Sequence, residues 1–311
     1  MDLHKAERQN LLIGSVYAAI TCIIWSGNFV IAKASAGKIP PISLAFYRLL
    51  LATICMLPLV KQQFIEQFHL AKKHFKHLFW VSFTGFSFYS SILYFAGYHT
   101  SAINLSLIGA TSAPIFSVII AVYLFKEGIT INRIIGMLIC TVGLLYLISK
   151  GDLSNLQSVR FSWGDVLILI GSAVFAFYNN LAKFKPAALK SMHYLFFAFS
   201  VGTITLLPFW LIEISLSSQK IVWNTQAWGM IAYLGIGCSV IAYLLWNKSI
   251  ALIGTSSTAL FGNLIPVLSV IEAIILLNEP FTQMHIWGSM IVFTGLFIAN
   301  FSHLIRLKPK P

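Results

Sequence analysis

Residues Ala102 to Leu144 recur later in the same chain. Shifted by 152 positions, Pro114 falls on Pro266, Ser117 on Ser269, Ala121 on Ala273, Glu127 on Glu279 and Thr130 on Thr282. Gly136 and Gly143 fall on Gly288 and Gly295. Upstream, a shift of 150 brings Gly14 onto Gly164, Val16 onto Val166, Ala32 onto Ala182 and Lys33 onto Lys183. One unit of about half the chain is therefore present twice, and a repeat of this length constrains the fold before any local propensity is weighed.

The nature of the unit follows from its apolar runs. The chain is 58% hydrophobic and only 10% charged, and its runs are long enough to cross a hydrocarbon core of about 30 Å. A soluble core this apolar would need amphipathic helices to cover it, and none is legible. Hydropathy predicts spans at 11–35, 41–60, 78–98, 101–125, 131–149, 163–184, 191–213, 228–250, 254–277 and 283–304. The expected fold is an all-α integral membrane protein of ten transmembrane helices. Residues 1–150 form a first five-helix repeat, 151–162 a linker, and 163–311 a second five-helix repeat with a basic tail. An odd number of spans per copy turns the second copy upside down, and two inverted repeats are a common plan among secondary transporters. Ala34-Ser35-Ala36 resembles a signal-peptide cleavage site, but the apolar run before it is too long and Lys33 adjoins it, so the first span is kept.

The formal charge of +12 lies in short loops and tails rather than on one basic face, which argues against a nucleic-acid partner. With the N-terminus inside, fourteen Lys and Arg fall in cytoplasmic segments and five in outer ones, predicting both termini in the cytoplasm of an inner-membrane protein. The four cysteines lie inside predicted spans, without the spacing of a metal site. The chain contains no GxxxxGK and no HExxH, and Asp2, Asp152 and Asp165 lie outside or at the edge of spans. No cofactor, metal or catalytic constellation is expected, and an enzyme is the least favoured reading.

Charged groups within spans are costly and mark functional candidates. Lys33, Lys183 and Lys248 lie near span ends, where a long stem carries the amine to the interface. Arg48 and Glu272 remain. Arg48 lies seven residues beyond Pro41, and Glu272 seven before Glu279. At about 1.5 Å per residue both sit roughly 10 Å below the outer surface, so an Arg48–Glu272 ion pair is a geometric expectation. Its alternatives are a fixed structural carboxylate and a proton-carrying or substrate-contacting one. In span 3, Ser87, Ser90, Ser91, Tyr94 and Tyr98 share one helical face, answered by Ser239, Tyr243 and Trp246 in span 8. Trp25 and Asn28 in span 1 are matched by Phe175, Tyr178, Asn179 and Asn180 in span 6. Packing alone explains aromatic faces equally well. Their recurrence on equivalent helices, interleaved with hydroxyls and amides, favours a central cavity of mixed polarity. The paired glycines predict close helix crossings, Pro114 and Pro266 predict hinges, and Glu127 and Glu279 predict capping groups.

The run Trp246-Asn-Lys-Ser-Ile-Ala-Leu-Ile-Gly, continuing through Pro266 to Glu279, resembles the second repeat of the EamA family of the drug/metabolite transporter superfamily. Tyr94-Phe-Ala-Gly-Tyr, through Pro114 to Glu127, resembles the first, and Trp25-Ser-Gly-Asn-Phe-Val and Tyr47-Arg48 are also similar to the family pattern. The resemblance covers nearly the whole chain. It implies two inverted five-helix repeats, a central cavity, and export of amino acids, related metabolites or drugs driven by an ion gradient. Lys248 and Glu272 depart from the pattern.

The combined expectation is a secondary transporter that moves a small organic, amino-acid-like solute outward by alternating access through the bilayer. Trp25, Tyr94, Tyr98, Tyr178, Tyr243 and Trp246 would line the cavity, with Asn28, Asn179 and Arg48 as hydrogen-bonding groups. Glu272 would carry the coupling proton. Metabolite or nucleotide-type uptake or exchange by the same fold is an alternative, as is a non-transporting receptor or subunit. The sequence sets neither the substrate nor an oligomeric state.

Overall fold

In hydrocarbon a backbone can satisfy its polar groups only internally, so apolar runs of this length fold as helices. The computed structural model describes residues 2–126, 128–149, 151 and 162–306, and among these it contains helices and no strand. The first half comprises α1 (Asp2–Ala34), α2 (Pro41–Met56), a short surface helix α3 (Phe64–Lys73), α4 (Phe75–Ser82), α5 (Tyr89–Gly97), α6 (Ala102–Phe125) and α7 (Ile131–Ile148). The second comprises α8 (Trp163–Ala182), α9 (Ser191–Leu216), α10 (Thr225–Ala232), α11 (Ala242–Phe261), α12 (Ile265–Leu277) and α13 (Gln283–Arg306). A π-helical segment, Phe83–Phe88, joins α4 to α5, and another, Tyr233–Ile241, joins α10 to α11. Glu127, Lys150, the linker residues 152–161 with Asp152 and Arg160, and the tail residues Lys308 and Lys310 lie outside the described residues.

Among the described residues, eight helical stretches are long and apolar enough to cross a bilayer: Gln9–Ala34, Pro41–Val60, Phe75–Gly97, Ala102–Phe125, Trp163–Ala182, Ser191–Leu216, Thr225–Gly254 and Ser257–Leu277. The other two expected spans contribute shorter apolar stretches, Ile134–Leu147 and Gln283–Ala299. Gly254 separates two spans with a φ of 81°, in the left-handed region where a side chain would be strained. Pro266 does not interrupt a continuous helix as Pro114 does. It stands in the first turn of α12, after a short 3-10 turn at Gly262–Leu264, where its missing N–H costs little.

The repeat is visible in the packing. α7 and α13 cross through the paired glycines. A Cβ on Gly136 would stand 2.5 Å from the Gly295 carbonyl and 2.6 Å from the Ala299 Cβ, and one on Gly295 would stand 2.6 Å from the Cys140 sulfur. Gly143 meets Val292, and Gly288 meets Leu147. As the α7 number rises the α13 number falls in step, so these repeat-equivalent helices run antiparallel. Cys140 Sγ donates to the carbonyl of Val292, its own mate, at 3.5 Å. Thr53 and Thr203, mates in α2 and α9, bring their hydroxyls to 3.5 Å. α6 and α12 end alike, in left-handed residues at the equivalent positions Lys126 and Asn278.

Acidic side chains occupy helix starts, where exposed N–H groups favour negative charge. The Glu279 carboxylate accepts from the N–H groups of Ala102 and Ile103 at 2.7 and 3.0 Å, so the expected capping group caps α6. Glu213 accepts from the N–H groups of Ile42 and Ser43 at the start of α2. Asp165 and Ser162 form a capping box on α8. Glu272 caps no helix.

Candidate functional site

α2 starts at Pro40-Pro41, which preset its entry, and turns Leu44, Arg48 and Ala52 onto one buried face. Arg48 is only 7% exposed. Its Nε donates to Ser239 Oγ at 3.0 Å and its Nη1 to the Tyr94 hydroxyl at 2.9 Å, with Asn28 Oδ1 and Ser90 Oγ at 3.4 Å. Tyr94, fully buried on α5, passes a hydrogen bond on to Asn28 of α1 at 3.2 Å. Three helices and a π segment thus converge on one guanidinium, and none of these partners is a carboxylate.

The π segments explain why these serines face inward. Ser239 Oγ bonds the Leu234 carbonyl five residues back, and its mate Ser87 does the same with Ser82. The extra residue per turn rotates each serine relative to a regular helix. Ser239 is aimed at Arg48, whereas Ser87 meets the Gly202 carbonyl at 3.0 Å and Thr205 at 2.8 Å. The two sites differ because the repeat mate of Arg48 is Ala198.

An aromatic wall adjoins this polar group. Trp25 donates its indole N–H to the Cys238 carbonyl at 3.0 Å, and its ring lies 5.2 Å from Tyr243 and 5.0 Å from Trp246. Tyr243 continues to Phe199 at 6.0 Å and to Phe86 at 6.3 Å, and Phe86 reaches Tyr178 at 5.3 Å. Arg48, Asn28 and Tyr94 therefore gather in one cluster, with Trp25, Tyr178, Tyr243 and Trp246 in one wall.

Other expected members lie elsewhere. The Tyr98 hydroxyl lies 3.0 Å from the Ile39 carbonyl and 3.1 Å from Gln219 Oε1, either of which can take its one hydrogen, in the loops at one end of the bundle, because the π segment and the end of α5 split the expected hydroxyl face. Asn179 is half-buried beside Asn180, and it is Asn180 that joins helices. Fully buried, Asn180 donates to the carbonyl and hydroxyl of Ser117, one turn beyond Pro114 in α6. The Arg48–Glu272 pair is not formed. Ser26 donates to Glu272 Oε1 at 2.7 Å, and Glu272 Oε2 is buried without a partner. The expected match in height does not bring the two together: α12 packs against α1 and α6, whereas Arg48 faces α5 and the second π segment. A cavity of about 520 Å³ lies away from Arg48, between Ser101, Asn104, Glu279, Thr282 and His285.

Ser26, Phe86 and Phe199 were not singled out from the sequence. Ser26 adjoins Trp25, but serine in an apolar run is ordinary, and the two phenylalanines sit among many. Only the helix neighbours reveal what they face.

Comparison with known proteins agrees with this architecture. A relative from Archaeoglobus fulgidus, described as an uncharacterized transporter, is 30% identical over 91% of this chain and 95% of its own. A "probable amino-acid metabolite efflux pump" of Salmonella typhimurium is 23% identical over 93% of this chain and 95% of its own. A solved crystal structure shares the fold at a TM-score of 0.58 and 16% identity, covering 94% of this chain and 98% of that one. The model of the EamA-like transporter family matches residues 12–149 and again 162–301. Matched in both halves by that model, this multi-pass membrane protein belongs to the EamA-like transporter family.

Proposed function

We propose that the protein is a secondary active carrier that exports a small organic solute bearing a carboxylate, such as an amino acid or a related metabolite. The observation that carries this reading is Arg48: a guanidinium buried in the centre of the bundle with neutral partners and no carboxylate among them. Bidentate carboxylate recognition is what a guanidinium does better than any other side chain. The Trp25–Tyr243–Trp246 wall beside it suits the apolar part of such a solute. The name of the Salmonella relative supports the substrate class.

In this reading ten helices cross the inner membrane as two inverted repeats, residues 1–150 and 163–311 joined by 151–162, with α7 and α13 crossing as a pair and both termini cytoplasmic. Pro114 and Pro266 serve as flexing points during alternating access. Protons drive transport through Glu272, and the chain is not an enzyme. Asn28 and Tyr94 hold Arg48 ready, Asn179 supplies a hydrogen bond when the cavity opens, and Tyr98 closes one end. The test is counterflow in proteoliposomes, with unlabelled amino acids and metabolites inside and labelled solutes outside. Accelerated exchange of carboxylate-bearing solutes, abolished in Arg48→Ala and Trp246→Ala, is expected. Exchange confined to solutes without an anionic group sinks the role of Arg48, and no exchange from folded protein sinks the carrier reading.

A further inference from the structure

Glu272 has a chemistry that its position in the apolar face of α12 does not explain. Ser26 Oγ stands 2.7 Å from two acceptors, Glu272 Oε1 and the Ile23 carbonyl. A serine hydroxyl carries one hydrogen and can serve one acceptor at that distance. If Glu272 is ionised, one of the two short contacts lacks a proton. If Glu272 is a neutral acid, its O–H donates to Ser26 Oγ and Ser26 donates to Ile23, and both contacts are satisfied. Ser269, one turn before Glu272 on α12, is fully buried with its hydroxyl unpartnered, as is Glu272 Oε2. A charge there would thus be desolvated with one donor for two oxygens, which favours the neutral form. A proton needs only one of these oxygens.

The residue next to Ser26 leads away from this acid. Trp25 donates to the Cys238 carbonyl at 3.0 Å, and the next residue, Ser239, accepts from Arg48 Nε at 3.0 Å. The contact is reinforced on both sides. Tyr233 OH and Cys238 Sγ both donate to the Ile24 carbonyl, at 3.0 and 3.2 Å, and a Cβ on Gly27 would stand 2.3 Å from the Tyr233 oxygen. An unbroken series of hydrogen bonds and single peptide links therefore runs from Glu272 through Ser26, Trp25, Cys238 and Ser239 to Arg48. It passes through a π segment, an element found frequently at functional sites.

We propose that Glu272 binds a proton and that its protonation is coupled to the state of Arg48 through Ser26, Trp25 and the π segment Tyr233–Ile241. The coupling to substrate rests on the carrier reading above; the proton site does not. The groups that face Glu272 are Tyr233 and Cys238 from the π segment and Ser26 from α1, with Cys22 one turn below it. α6 and α12 carry no other charged residue. The ordinary pKa values of the tyrosine and the cysteines lie above neutrality. The proton thus goes onto Glu272 and comes from the aqueous phase, and its release restores the Ser26-to-carboxylate bond. Linkage is reciprocal: a solute that engages Arg48 shifts the protonation of Glu272, and pH shifts the affinity for that solute.

The experiment has two arms. Infrared difference spectra across a pH titration, with no solute, follow the carbonyl stretch of protonated carboxyls in full-length protein in liposomes. A titrating band present in the wild type and absent in Glu272→Gln is expected, with its midpoint displaced by more than about half a pH unit in Trp25→Phe and in Ser26→Ala. Absence of the band overturns the proton site, and a midpoint unmoved by Trp25→Phe overturns the coupling. The second arm is counterflow as a function of pH. Apparent affinity should change about fivefold or more across the band's titration range, the scale of ordinary site-to-site coupling, and should become flat in Glu272→Gln. Dependence on sodium with no dependence on pH also overturns the proposal. Loss of counterflow for every solute while the infrared band and its displacement persist removes the carrier reading and leaves the proton site and its link standing.

Discussion

A guanidinium removed from water costs several kcal/mol even after relaxation, and at Arg48 the offset comes from neutral oxygens at 2.9 to 3.4 Å. Each charge-assisted bond returns about 1.5–3 kcal/mol, so the group is held without being strongly stabilising. An apolar side chain of similar length should then serve the fold as well or better. Arg48→Met is expected to keep or raise the thermal midpoint in detergent while eliminating exchange; a fall of many degrees would make Arg48 a structural residue. The charge inside span 2 was legible in the sequence. Its partners were not, because position along a helix gives height but not the identity of the neighbour at that height. Asn179 and Asn180 make the same point. They differ by about 100° around α8, and only packing decides that Asn180 meets Ser117 while Asn179 does not.

At the scale of elements, close packing on one face of α7 and of α13 was readable from glycines seven apart in both repeats, because a close backbone approach excludes any larger side chain; that the two helices cross each other was not. Gly136→Val is expected to cost about 1–3 kcal/mol by overpacking, since its Cβ would meet Gly295 and Ala299 backbone atoms at 2.5 Å. Gly229→Ala, in α10 where a Cβ meets nothing within 4 Å, should be neutral or gain up to about 1 kcal/mol from helix propensity. Thermal unfolding of the two variants side by side checks this; equal midpoints would refute the crossing. That Glu279 caps a helix was also legible, from an acid just past the end of a span, but which helix it caps was not. The two π segments were not. An inserted residue leaves no mark in hydropathy, yet it splits the expected face of span 3 and turns Ser239 toward Arg48.

Across the whole molecule, mates touch: Cys140 meets Val292, and Thr53 meets Thr203. Both pairs lie where a two-fold axis relating the halves would pass. If the halves rock against each other during transport, a bond across the α2–α9 contact should stop them. In Thr53→Cys/Thr203→Cys, oxidation is expected to cross-link the pair and arrest counterflow, with recovery on reduction. Full exchange by cross-linked protein would show that this contact stays fixed through the cycle. By itself the sequence determined the class of fold, the doubling of one helical unit, the close-packed glycine faces and the identity of the two charges that no interface can rescue. Those are properties of composition and period, carried by every residue in a run. Only the tertiary structure decided that Arg48 rests among hydroxyls and an amide, that Glu272 answers to Ser26, and that the two charges do not pair. Which helix stands beside which, and at what rotation, is set by packing of the whole bundle and is written in no single segment.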